Sequence, residues 1–246
     1  MIADILTVIW KELIEIRHLH GTSRAGILVF LVPVGMFGVF FPVKMGPVWV
    51  NSPMALIFCT MMPFFMVIAF IADSFAGERE RKTLETLLAS RLPDRAILFG
   101  KIFSGLGFSW GVALFILVLG LVSVNLVHAR EKGLLLYSPT VFLGSVALSF
   151  LGALLASGAG VLVSLRASTV RQAQQNLSIV VMLLIFLPSF GIPMLPAGWR
   201  DSLFRIFKGF DLTWIIMAVA AVFLIADILL VAAAAARFKR ARLILD

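Results

Sequence analysis

Polar and apolar positions in this chain segregate into long blocks. Six stretches, 25–43, 53–72, 102–127, 139–165, 177–195 and 213–236, hold one charged residue between them, Asp227. A helix needs about 20 apolar residues to cross a bilayer core. The pattern therefore predicts an all-α, polytopic membrane protein with six transmembrane helices, the whole of 1–246 forming a single transmembrane domain. Strands of a membrane β-barrel would be about ten residues long and would alternate in polarity, which these blocks do not.

Detail within the blocks refines the elements. The first span carries Pro33, Gly35, Gly38 and Pro42, which predicts a kink. The fourth carries two rows of small residues, Gly152, Ala156, Gly160, Ser164 and Ser145, Ser149, Ala153, Ser157, which let helix backbones approach closely. Packing within the chain is the first reading of these rows; a dimer contact or a substrate path is the second. The fifth is interrupted by Pro188, Gly191, Pro193 and Pro196. Trp199, Leu203, Ile206, Phe207 and Phe210 then form an apolar stripe beside Arg200, Asp201, Arg205 and Lys208. This predicts a half-span followed by an external re-entrant segment.

Ahead of the first span, residues 1–24 read as an interfacial amphipathic helix. Ile2, Ile5, Leu6, Ile9, Leu13 and Ile16 share one face and Asp4, Lys11, Glu15 and His18 the other. Trp10 suits the headgroup level of a membrane. Two readings stand for this helix, a membrane-surface helix and a cap on the protein's own cytoplasmic face, and both can hold.

Composition agrees with the blocks: 61% of the 246 residues are hydrophobic and 14% charged, and mean hydropathy is +1.06. Soluble domains are about 45–50% apolar and about 25% charged, so a soluble enzyme, a disordered chain and a nucleic-acid binder are excluded. The net charge of +8 reports orientation instead. Loops 1–24, 73–101, 166–176 and 237–246 carry fifteen Lys and Arg against six in 44–52, 128–138 and 196–212. Positive loops stay inside, which places both termini and 73–101 in the cytoplasm. The lone Cys59 lies in an apolar block and reads as a small buried hydrophobe.

The loop 73–101 is the most informative segment. From Glu78 to about Ser90 it predicts one short helix, with a Glu78–Lys82 pair, a weaker Arg81–Glu85 pair and an apolar patch of Leu84, Leu87 and Leu88. Pro93 ends it, and Asp94 is placed to cap a helix that continues into the third span. The segment is too short and polar to span a bilayer. A solvated loop is one reading; a docking element for a soluble partner is the other.

Catalytic and metal chemistry are not indicated. Gly100–Lys101 is followed by Ile102 without the earlier glycine of a Walker A loop. No HExxH or metal-spaced Cys/His cluster occurs, and His18 and His20, two residues apart, do not share a helix face. Asp227 is a possible intramembrane polar site, because a carboxyl within a span is costly. Its structural reading is a carboxyl satisfied inside the bundle.

The string AGERERKTLETLLASRLPDRAILFGK resembles the corresponding loop of type-2 ABC exporter permeases. The residues that carry the likeness are Gly77, Glu78, Arg79, Arg81, Thr83, Leu84, Glu85, Leu87, Leu88, Ala89, Pro93, Gly100 and Lys101. Weaker likenesses are Lys11–Glu12–Leu13 to the family's elbow helix and Arg171–Gln172–Ala173–Gln174–Gln175 to the turn before its fifth span. Trp199 to Thr213 is similar to its external re-entry, and Phe238–Lys239–Arg240–Ala241–Arg242–Leu243 to its ending. Arg91–Leu92 before Pro93, and Phe210–Asp211 in place of Asn-Pro, depart from the pattern.

The resemblance implies the membrane subunit of a two-component ABC exporter, itself not an enzyme, in a prokaryotic cytoplasmic membrane. It implies a second permease copy, as homodimer or heterodimer, surrounded by lipid, and a separate ABC ATPase subunit that carries ATP and Mg. Glu78, Arg79, Arg81, Lys82, Thr83, Leu84, Glu85, Leu87 and Leu88 would form its ATPase-coupling helix. The rivals are an ion-coupled secondary transporter using Asp227, an intramembrane enzyme, and an ABC permease specialised for haem or metal-site maturation.

Overall fold

The computed structural model describes residues 1–20 and 24–238. The basic tail from Lys239 lies outside the described residues, as do the side chains of Ile16, His18, His20, Leu88 and 203–208. Among the described residues the chain is all helical, without strands. The helices are α1 (Ile2–His20), α2 (Arg24–Gly35), a π-helical turn (Met36–Phe40), α3 (Phe41–Met45), α4 (Pro47–Asn51), α5 (Met54–Phe70), α6 (Asp73–Glu80) and α7 (Leu84–Ala89). They continue as α8 (Asp94–Lys132), α9 (Pro139–Arg166), α10 (Val170–Met194), α11 (Ala197–Lys208) and α12 (Leu212–Arg237).

Four helical stretches among the described residues are long and apolar enough to cross a membrane: Met54–Glu80, Asp94–Arg130, Pro139–Arg166 and Leu212–Arg237. The first apolar block is not one regular α-helix: α2 passes through the π turn into α3 between Pro33 and Pro42. Pro42 has no N–H to give the carbonyl of Gly38, and Ser123 Oγ of α8 donates to that carbonyl instead, at 3.0 Å. The π turn relieves the same site, Phe41 N–H reaching back to Met36 O.

Helix α9 is central and packs most extensively on α5 and α12. Both of its small-residue rows are buried within the chain. A Cβ on Gly160 would lie 2.8 Å from Ile71 and Val67, and one on Gly152 3.2 Å from the carbonyl of Thr60. Gly144 faces Ile216, Gly152 faces Phe223 and Gly158 faces Leu230, so α12 runs parallel to α9. Helix α8 runs the other way, Gly105 lying against Ile71 and Ser157 while Gly120 lies against Trp49.

Three expectations are corrected. The loop 73–101 contains two helices, α6 and α7, where the sequence pattern suggested one from Glu78. Asp94 is the first residue of α8, and Pro93 occupies its N-cap position. Helix α10 continues through Pro188 and Pro193 and stops only at Leu195–Pro196, so it is a full 25-residue helix where a half-span was expected.

Candidate functional site

The most charged end of the molecule is built around α6, and each polar residue there has a local reason. The first N–H groups of a helix lack intrahelical acceptors. In α6, Phe75 N–H and Ala76 N–H both donate to Ser164 Oγ of α9, at 3.0 Å each. Ser164 in turn donates to Ala72 O at 2.9 Å. One hydroxyl thus uses its donor and both acceptor positions. At the other end of α6, Arg79 donates to Ala167 O (2.7 Å) and Leu165 O (3.1 Å), the free carbonyls at the end of α9. The neighbouring Glu80 carboxylate accepts from Val170 N–H at the start of α10. A cation at a helix C-terminus beside an anion at the next N-terminus suits both helix dipoles.

A buried ionic cluster joins α6 to α1 and α8. Lys101 of α8 is 1% exposed. Its ammonium donates to Glu12 Oε1 (2.8 Å) and Ser74 O (2.6 Å) and lies 3.1 Å from Glu78 Oε1. It also sits 4.8 Å from the centre of the Phe75 ring. Lys11 of α1 bonds to Glu78, Glu12 and Glu15. Arg81 bridges Glu15 of α1 and Asp73 of α6. Burial opposes the charged form of Glu12, yet the Lys101 and Lys11 ammonium groups hold its carboxyl below the usual range. Burial likewise opposes the Lys11 charge, and Glu12, Glu78 and Glu15 outweigh it and push its pKa up.

Two glycines make this geometry possible. A Cβ on Gly100 would lie 2.5 Å from Val8 Cβ, so α1 reaches α8 only across a bare backbone. A Cβ on Gly77 would lie 2.0 Å from Asp73 Oδ1 and 3.0 Å from Arg81 Nη2, the pair that passes over it. The Glu12, Glu15 and Glu78 carboxylates come within 4.8 Å of one another. Lys11 and Lys101 already supply their positive charge, so the donor set does not suit a metal ion.

Helix α6 ends in a Schellman turn: Thr83 N–H donates to Glu78 O (2.8 Å) and Lys82 N–H to Arg79 O (3.1 Å). Lys82 has φ of +58°, a left-handed conformation that usually falls to glycine. Helix α7 follows.

The predicted coupling residues therefore separate into two groups. Glu78 and Arg79 turn inward, onto Lys11 and Lys101 and the end of α9, while Arg81 pairs with Asp73 and Glu15 at the surface; the expected pairs with Lys82 and Glu85 are replaced by these. Leu84 is buried in the chain's own core and Leu87 packs against that core, so the exposed leucine patch expected there does not form around them. Lys82, Thr83, Glu85, Thr86 and Ala89 are exposed. Asp227 is 2% exposed, on the α12 stripe that faces α9, and neither carboxyl oxygen has a hydrogen-bond partner. The expectation of a satisfied carboxyl is thus corrected.

Glu12, Asp73, Lys101 and Ser164 were not picked out as site residues from the sequence alone. Lys101 and Glu12 stood inside recognisable motifs, but no spacing rule connects positions 89 residues apart. Ser164 looked like one small residue in a row of four.

Residues 50–237 match the family model described as ABC-2 family transporter protein. The chain is also 37% identical over 125 residues to ABC transporter permease protein NatB of Bacillus subtilis (strain 168). That match covers 49% of this chain and 32% of the relative, about a third of its length. No solved structure gave a significant match.

Proposed function

The chain belongs to the ABC-2 family of transporter proteins, and on that premise we propose that it is the membrane subunit of an ATP-driven ABC exporter. It works as one of two permease copies with a separate ATPase subunit, which carries the ATP and Mg. The cytoplasmic membrane holds it with both termini and the loop 73–101 inside. Cargo moves by alternating access.

Six passes support this reading better than four. Helices α5, α9 and α12 run one way and α8 the other, and Gly38 and Gly46 meet Leu119 and His128 in order along α8. Helices α2 and α3 with the π turn supply the pass before α5. Helix α10, about 37 Å long at 1.5 Å per residue, supplies the return between the parallel α9 and α12.

The observation that carries the proposal is the contrast between α6 and α7. Residues 73–81 are tied to four other helices, whereas α7 is seated through Leu84 and Leu87 and leaves Glu85, Thr86 and Ala89 exposed. A short helix on a fixed base is what a docking partner needs in order to move the spans. Binding can only shift a two-state element through different contacts in its two states, and α7 offers such contacts. The test is co-purification with an ABC ATPase encoded beside this chain. Thr86→Arg together with Ala89→Arg leaves the core untouched and should abolish ATPase recovery. Recovery equal to wild type would place the docking surface elsewhere.

The second reading, an ion-coupled secondary transporter, draws on the unpartnered oxygens of Asp227. Cargo flux in vesicles free of any ATPase, abolished by Asp227→Asn, would favour it.

A further inference from the structure

The ionic cluster brings three helices, α1, α6 and α8, onto one buried ammonium. The Lys101 ammonium has three N–H donors and three acceptors around it: Glu12 Oε1 from α1, and Ser74 O and Glu78 Oε1 from α6. Lys101 itself belongs to α8. Lys11 closes the ring by bonding Glu78 from the α1 side. The cluster sits where α8 begins its long apolar run, directly beneath α6 and the base of α7.

Stability alone is a poor account of this arrangement. Replacing a buried ion cluster by apolar side chains of similar volume is often neutral or stabilising. Val8 against Gly100 already gives α1 an apolar hold on α8. What charges add is direction: an ammonium with three fixed acceptors tolerates one register, while apolar faces slide. A cation site is also a poor account, since two ammonium groups occupy the space among the carboxylates.

We propose that Lys101 is a positioning residue for coupling, an inference that rests on the reading of α7 as the ATPase-docking element. With Glu12 and Glu78 it locks α1, α6 and the start of α8 into one body. A displacement of α7 is then delivered to α8, the third pass, instead of being lost as bending within the loop.

The test uses Glu12→Met/Glu78→Met/Lys101→Met, which removes the cluster without leaving a buried charge behind. Spin labels on Leu6→Cys in α1 and Thr86→Cys in α7, in a Cys59→Ser background, report the α1–α7 distance without any ATPase. Wild type should give one narrow distribution and the triple variant a broad one, at a melting temperature within a few degrees of wild type. In vesicles with the ATPase bound and Leu6 and Thr86 intact, transport per ATP hydrolysed should fall about tenfold, a usual size for a coupling free energy, with hydrolysis retained.

A narrow, unshifted distance in the triple variant overturns the inference. So does a broad distance with unchanged transport per ATP. If the triple variant does not fold, Glu12→Gln decides: it should lower transport per ATP while sparing hydrolysis, and no change overturns the proposal. Failure of the docking reading shows separately, as wild-type protein that recovers no ATPase while the distance measurement still stands.

Discussion

Single side chains at the charged end of this molecule each satisfy several backbone groups, which makes them disproportionately costly to remove. Ser164 is the clearest case, its hydroxyl bonding two N–H groups of α6 and the carbonyl of Ala72 just before it. Each buried polar group left unsatisfied costs about 1–3 kcal/mol. Ser164→Ala should therefore destabilise the protein by about 3 kcal/mol, seen as a lowered melting temperature in detergent. The neighbouring Ser157→Ala should be nearly silent, because Ser157 Oγ has no partner to lose. Glu12 gives a second expectation at this scale. Its pKa is lower in the folded protein than in the unfolded chain. Its contribution is therefore present above the ordinary Glu value of about 4.3 and lost as pH falls through the lower folded value. Lys11 has the opposite shift, so its contribution is complete below about 10.4 and lost only above that. Melting temperature should drop in acid, and Glu12→Gln should drop less steeply.

Among the elements, α1 and α6 owe their positions to residues outside themselves. Gly100→Ala would set a methyl against Val8 and lift α1 from α8, drawing Glu12 away from Lys101. The expected outcome is faster proteolysis within α1 and the same loss of transport per ATP as in the cluster variants, whereas Gly111→Ala, with open space around it, should change neither. Much of this level was legible beforehand. Hydrophobic blocks located the long helices, because apolar length is the requirement that a bilayer imposes. The loop was legible as a place but not as a geometry. Glu78 and Lys82 have the spacing of a helical ion pair, and such a pair is worth only about 0.2–0.5 kcal/mol. A buried Lys101 offers Glu78 far more, so the tertiary partner wins. Leu84 was misread for a related reason: an apolar patch beside charges looks the same in sequence whether it faces a partner subunit or the chain's own core. Helix α10 runs on through its prolines, which a bundle can support by satisfying the freed groups from neighbours.

For the whole molecule the principal question is which side each end faces. The fifteen-to-six distribution of Lys and Arg predicts that 73–101 lies inside. Single-cysteine labelling in a Cys59→Ser background should find Glu85→Cys shielded and Leu134→Cys reactive toward an impermeant reagent added to intact cells. The reverse result would invert the topology. Both positions are exposed in the structure, so shielding at either reports the membrane and not burial. Helix α12 exposes Trp214, Met217, Val222, Leu224, Ile225, Ile228 and Leu229. A face of that kind is ordinary against lipid and would be a liability in water, which agrees with the membrane assignment that the apolar blocks gave first.

The bond between α6 and Ser164 also bears on how the protein is made. Phe75 and Ala76 wait for an acceptor that lies 89 and 88 residues further along the chain. At about 5–20 residues per second, the ribosome supplies Ser164 on the order of ten seconds after α6 has emerged. The carbonyls for Arg79 and the amide for Glu80 arrive just behind it. Until then α6 has no fixed seat. On the proposed reading of α7, a nascent chain presents the docking element on its fixed base only after α9 has been made.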